Sequence, residues 1–207
     1  MGMRVLVDDR SVGSEESSVA GAIRAGVADA ERRGRIIIEA WADGRKMADE
    51  ELIAPSFHDA GIRELKFVSA DPRALVRVTL LDAAEMLESI RADHRAAADA
   101  ILAGNTSGAL EALGRSMAAW QLVRDAVHKG MDALGLTIAD LPGELAVGPR
   151  VADLAFRLGE VRQLLATQDW AGLADALAYD MDEQVTAWDR LLRGLADVAG
   201  AARGAGA

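Results

Sequence analysis

The sequence predicts an α+β protein: a small sheet-and-helix domain over residues 1–70, an antiparallel four-helix-type bundle over residues 71–200 and a flexible tail over residues 201–207. Three observations carry this. Strand signals are confined to the first 70 residues. Beyond Asp71-Pro72 the apolar residues recur at spacings of three and four, the period of a core-facing helix. Two stretches also echo each other, Leu102-Ala103 … Leu110 … Ala119-Trp120 and Leu165-Ala166 … Leu173 … Ala187-Trp188, as a helical hairpin used twice would.

In the first domain, Met3 to Val7 reads as a strand, Asp8-Asp9-Arg10 as a turn and Ser11-Val12 as a short return strand. Ser17 or Ser18 can cap a helix whose Ala20, Ile23, Val27 and Ala30 share one face, ending at Gly34. Ile36 to Trp41 is β-branched and aromatic. Asp43-Gly44 supplies the positive-φ pair of a two-residue hairpin, so Arg45 to Met47 should return beside that strand. One helical turn is expected at Asp49 to Ile53, then a loop with Pro55 and Gly61, then a last strand at Ile62 to Val68. In the order of its elements (hairpin, helix, then three strands) this domain resembles the β-grasp, or ubiquitin-like, arrangement.

Asp71 is a favoured N-cap and Pro72 a favoured first helical residue. The seam Leu80, Ala83, Leu87, Ile90, His94, Ala97, Ile101 calls for a helix of about 30 residues, or roughly 45 Å. Gly104 to Gly108 turns the chain, and a second seam follows at Leu110, Leu113, Met117, Trp120, Arg124, Val127, Met131 and Leu134. So short a connection makes the two helices antiparallel neighbours. Residues 135–149, rich in Gly and Pro, form the long loop. Val151, Leu154, Leu158, Val161 and Leu165 make a third seam. The fourth is less regular: Trp170, Leu173, Ala174 and Leu177 form one stripe, and Asp180 with Glu183 has the spacing of a capping box that would restart the helix before Val185, Trp188, Leu192 and Leu195.

Composition excludes much. A net charge of −10 argues against nucleic acid, whose phosphates demand clustered Lys and Arg, and against an anionic membrane. The longest apolar runs, such as Ile36-Ile37-Ile38, fall far below the roughly 20 residues of a membrane span. The N-terminus lacks the basic-then-apolar pattern of a secretory signal, so a bacterial-type cytoplasm is expected. Without cysteine there is no thiolate nucleophile, zinc-thiolate site, iron-sulfur cluster or disulfide. Abundant Ala, and Arg in preference to Lys, reflect a GC-rich genome.

The candidate site residues are few. His94 and Arg124 interrupt apolar seams. Folding the two helices back about Gly104 and Asn105 puts Arg124 level with Glu85 and His94 level with Arg115. Such a group is either a small polar pocket or an ion pair that fixes register. A di-metal carboxylate site needs Glu-x-x-His pairs, but Arg91 stands three residues before His94 and Asp125 three before His128. No metal or other cofactor is expected. His58 beside Asp59 reads as a solvated loop residue. Nucleophile elbows and phosphate- or dinucleotide-binding glycine motifs are lacking, and Asn105-Thr106-Ser107 is a coincidental sequon. A second candidate is the acidic edge formed by Asp175, Asp180, Asp182 and Glu183 around Tyr179 and near Trp170, which serves either to recognise a basic or amphipathic peptide or simply as helix caps and a solvated face.

The run from Asp169-Trp170 through Leu173-Ala174-Asp175 to Leu177-Ala178-Tyr179-Asp180 resembles a recurring segment of uncharacterised bacterial proteins. Its pattern is Asp, an aromatic, two variable residues, Leu or Ile, Ala-Asp, then Leu-x-Tyr and an acid. The resemblance implies a small α+β region before a helical half, and it brings no known activity with it. In architecture the bundle also looks like small cytoplasmic chaperones of flagellar or secreted subunits. The leading expectation is therefore a non-enzymatic adaptor or chaperone-like module that holds a protein partner. The alternatives are a small-molecule or metal sensor or enzyme with its pocket at Glu85, His94 and Arg124, and a self-assembling protein that dimerises through leftover apolar seam.

Overall fold

The structure, a computed structural model, describes residues 2–13, 18–53 and 61–201. The chain divides into two compact units between Leu75 and Val76. The first is built from β1 (Arg4–Val7), β2 (Arg10–Ser11), α1 (Val19–Arg32), β3 (Ile36–Ala42), β4 (Arg45–Lys46), α2 (Asp49–Ile53) and β5 (Glu64–Ala70). Its sheet runs β2-β1-β5-β3-β4, with β1 parallel to β5 and the other pairs antiparallel. The central register sets Val7 and Ala40 on either side of Phe67.

Alternation in β5 buries Leu65, Phe67 and Ser69 on one face, as a half-covered strand requires. Val5, Val7 and Ala40 join Leu65 and Phe67 in the core with Val19, Ala22 and Ala30 of α1. Helix and sheet approach closely at Gly26, where an added Cβ would lie 2.6 Å from the Phe67 ring. Ser18 caps α1, its Oγ accepting from the Gly21 amide at 3.1 Å. Ser17, the loop with Pro55, His58 and Asp59, and tail residues 202–207 lie outside the described residues.

The hairpin turn has the expected positive φ at Asp43 (45°) and Gly44 (83°). The last strand, expected at Ile62–Val68, lies two residues later for a local reason. The Asp43 carboxylate accepts from the amides of Arg63 and Glu64 (3.1 and 2.9 Å), so pairing starts there. At the other end Asp8 accepts from the Ser69 amide and hydroxyl (2.8 and 2.6 Å), carrying order on to Ala70. Burial would raise the Asp8 pKa, but these hydrogen bonds and the nearby Arg35 and Arg33 outweigh it and hold the carboxyl below its ordinary value.

From Pro72 onward the described chain is helical with two 3₁₀ turns: α3 (Pro72–Leu102), α4 (Thr106–Ala133), α5 (Val147–Ala166), α6 (Trp170–Asp175) and α7 (Met181–Ala201), with a π-helical segment at Ala176–Asp180 joining the last two. Asp71 caps α3 through the Arg73 amide (2.9 Å), Asn105 caps α4 through Gly108 (3.0 Å) and Asp169 caps α6 through Gly172 (3.0 Å). The α3 seam is buried as its spacing predicts, from Leu80 to Ala97. In α4 the buried stripe is rotated from the expected one. Leu113, Trp120 and Val127 are buried as expected, but Ala109, Ala112, Ser116, Val123 and Gly130 also face inward, whereas Leu110 is 46% exposed and Arg124 is exposed. Small residues win the inner face because they allow a close approach; a Cβ on Gly130 would meet Val76 at 3.1 Å.

Two other expectations are corrected. The loop at 135–149 holds 3₁₀ turns at Ile138–Asp140 and Gly143–Leu145, and α5 begins at Val147, with Pro149 in its first turn where no amide is needed. Nor does the helix restart at Asp180 to Glu183. Leu173, Leu177, Met181 and Val185 are buried at intervals of four, and over that distance an α-helix would drift by about 120°. The wide π turn absorbs this drift without breaking the helix.

Polar links show which helices are neighbours. Arg115 pairs with Asp93 (2.7 Å), joining α4 to α3. Arg91 pairs with Asp182 (3.0 Å) and donates to Thr186 Oγ1 (3.1 Å), joining α3 to α7. Gln184 donates to Asp153 (2.6 Å), joining α7 to α5, and Arg157 reaches Asp180 (3.3 Å) in the π segment. Among the described residues, no hydrogen bond or ion pair joins α4 to α5.

Candidate binding trough between α4 and α5

The fifth helix has more apolar surface than the core covers. Of its 20 residues only Val147, Leu154 and Val161 are buried, against nine in α7. Leu158 and Leu165 are half-buried and Val151 is 37% exposed. These residues border open space between α4 and α5. Leu113, Met117 and Arg124 on one side face Ala155, Leu158, Arg162 and Leu165 on the other around a cavity of about 400 Å³. Arg124 is shared with a second cavity of about 490 Å³, whose walls include Val127 and Met131, then Ile138, then Val147 and Val151, with Trp188 also contributing. Together they form a trough that follows α4 from Leu113 to Met131, about 27 Å at the α-helical rise.

Trp188 belongs to a buried aromatic cluster. Its ring meets that of Trp120 edge-on, centroids 5.7 Å apart, and Trp120 stacks on His94 at 6.4 Å. Trp120 Nε1 donates to His94 Nε2 at 3.3 Å. An indole nitrogen only donates, so Nε2 must be the bare nitrogen and the proton of the neutral ring sits on Nδ1. His94 is 2% exposed. Burial lowers its pKa to about 4, against the opposing pull of Asp93 and Asp182. His94 Nδ1, Trp188 Nε1 and Gln184 Oε1 are buried without a hydrogen-bond partner in the structure. A neutral His94 buried in this way packs and orients Trp120.

The sequence-selected residues are therefore distributed among several places. His94 is in the core, while Glu85 is exposed and, among the described residues, makes no ion pair. Arg124 lies on the trough. Arg115, expected level with His94, instead pairs with Asp93 on the outer side of α3. Trp170 is half-buried and packs against the helical core. Tyr179 is 71% exposed on the π segment. Two of the four acids of the edge beside it are paired: Asp180 with Arg157, and Asp182 with Arg91 and Arg95. Sequence reasoning missed Leu158 and Arg162 as site residues. The signal was present in the charged positions Arg157 and Arg162 that flank the α5 seam. Among the described residues no three His, Asp or Glu side chains converge as a metal site would require, and no helix is long and apolar enough to cross a membrane. Comparison with protein-family models, with curated proteins and with solved structures finds no match.

Proposed function

We propose that the protein is a non-enzymatic adaptor or chaperone-like module that holds an amphipathic helix of a partner protein in the α4/α5 trough. The single observation behind this reading is the half-covered apolar seam of α5, facing a helix to which it has no polar link. Helix-in-groove recognition needs an apolar groove that accepts residues spaced three and four apart, and little else. At about 27 Å the trough matches a helix of roughly 18 residues better than a small molecule.

At the level of architecture, the sheet order β2-β1-β5-β3-β4 with parallel β1 and β5 supports a β-grasp reading of the first unit. The links from α4 to α3, α3 to α7 and α7 to α5 support a four-helix-type bundle open on its fourth side. A chaperone of flagellar or secreted subunits is one setting in which such a bundle would work.

The β3 edge offers a weaker alternative surface. β4 pairs only with Trp41 and Ala42, and Ile36 and Ile38 are 41% and 48% exposed. Strand addition there is opposed by the bulge between Ile37 and Glu39, a device that spoils edge pairing. The decisive experiment places a photo-crosslinking side chain at Ala155, within the trough, and irradiates the producing cells. One discrete adduct, abolished by Leu158→Asp in a variant with an unchanged circular-dichroism spectrum, is expected. A ladder of unrelated adducts, or one unaffected by Leu158→Asp, would count against the trough.

A further inference from the structure

We infer that the helix held in the trough is acidic, with carboxylates on its flanks meeting Arg124 and Arg162; the inference rests on the reading of the trough as a helix site. Arg124 projects from α4 and Arg162 from α5, on opposite walls of the same cavity, and no Asp or Glu lines that cavity. Among the described residues neither arginine has an ion-pair partner. Elsewhere in the helical unit Arg91, Arg95, Arg115, Arg157 and Arg193 are matched to carboxylates, whereas these two stand together across one apolar cavity with no acid in its lining. In a chain with 33 acidic and 23 basic residues, carboxylates are the commoner group. The one carboxylate lining the neighbouring cavity, Asp125, lies 3.7 Å from Lys129, and His128 there faces Asp132 at 3.4 Å. The trough is thus a cationic strip on an anionic protein, with an apolar floor between its two charges. Such a strip attracts an anionic partner and rejects a cationic one by like-charge juxtaposition. Double-stranded nucleic acid, though anionic, has no apolar face to lay on this floor, and two arginines are too few for the counterion release its binding depends on.

The probes are two fluorescein-labelled 18-residue peptides that share one leucine stripe at helical spacing. One carries Glu on both flanks of the stripe and the other carries Lys. Fluorescence anisotropy with the full chain should show the Glu peptide binding at least about ten-fold tighter than the Lys peptide, a gap that narrows with added salt. The double variant Arg124→Glu, Arg162→Glu should reverse the preference. Both residues are exposed, and a circular-dichroism spectrum checks that the fold is kept. Equal binding of the two peptides overturns the acidic occupant and leaves the helix site standing. If neither peptide binds, and Leu158→Asp alters no adduct in the crosslinking experiment, both readings fall. Light scattering that shows a dimer dispersed by Leu158→Asp makes the occupant a second copy of this chain and overturns the inference.

Discussion

His94 carries a pH dependence whose sign follows from its burial. Its folded pKa is about 4, whereas an unfolded histidine titrates near 6.5. Between those values the unfolded chain binds the proton and the folded one does not, so stability falls as pH drops from about 6.5 to about 4, by up to roughly 3 kcal/mol, and levels off below. Urea midpoints at pH 7 and pH 4.5 should show this loss, and His94→Gln should remove its steepest part. Asp8 acts lower on the scale: with its folded pKa depressed, its contribution is complete above the ordinary carboxylate value and vanishes as pH falls through the folded one. Two glycines provide a contrasting pair. Gly26→Ala drives a methyl into Phe67 and should destabilise by about 1–3 kcal/mol. Gly114, also helical, has nothing within 4 Å of an added Cβ, so Gly114→Ala should stabilise by up to about 1 kcal/mol. Thermal unfolding of the two variants should move in opposite directions.

Among the elements, those with local chemistry of their own were legible in the sequence. The Asp43-Gly44 turn, the Asp71-Pro72 start and the 31-residue α3 follow from residue types at fixed offsets. What the sequence hid was set by partners in space. The stripe of α4 rotated because small residues allow a closer approach, which periodicity alone does not weigh. The start of β5 moved because one carboxylate, Asp43, captured two amides. His94 could be read as a seam position, but its donor Trp120 could not, since Arg115 was the residue expected level with it. The trough escaped notice for a related reason: the α5 spacing says that one face is apolar, not whether another helix covers it. The π segment makes a sharper prediction. If Ala176–Asp180 carries one surplus residue, deleting Ala178 should turn the wide turn into an ordinary one and keep Trp188 inside. Deleting Ala187, within regular α7, rotates the following residues by about 100° and should unfold the helical unit. Circular dichroism and melting of the two deletions would separate these outcomes; equal damage from both would remove the surplus-residue account.

On the scale of the whole molecule, charge and apolar surface are arranged to different ends. A net charge of −10 adds a mutual repulsion between copies of the chain. In the helical unit the apolar trough lies beside two arginines that have no ion-pair partner among the described residues. The open side has a thermodynamic consequence of its own. A unit with one incompletely covered helix folds with part of its core exchangeable, so whatever fills the gap contributes to folding free energy in proportion to its occupancy. At a hundredfold excess over its dissociation constant, an occupant would add about 2.7 kcal/mol. If the trough is filled as proposed, the melting temperature becomes a gauge of the occupant's concentration.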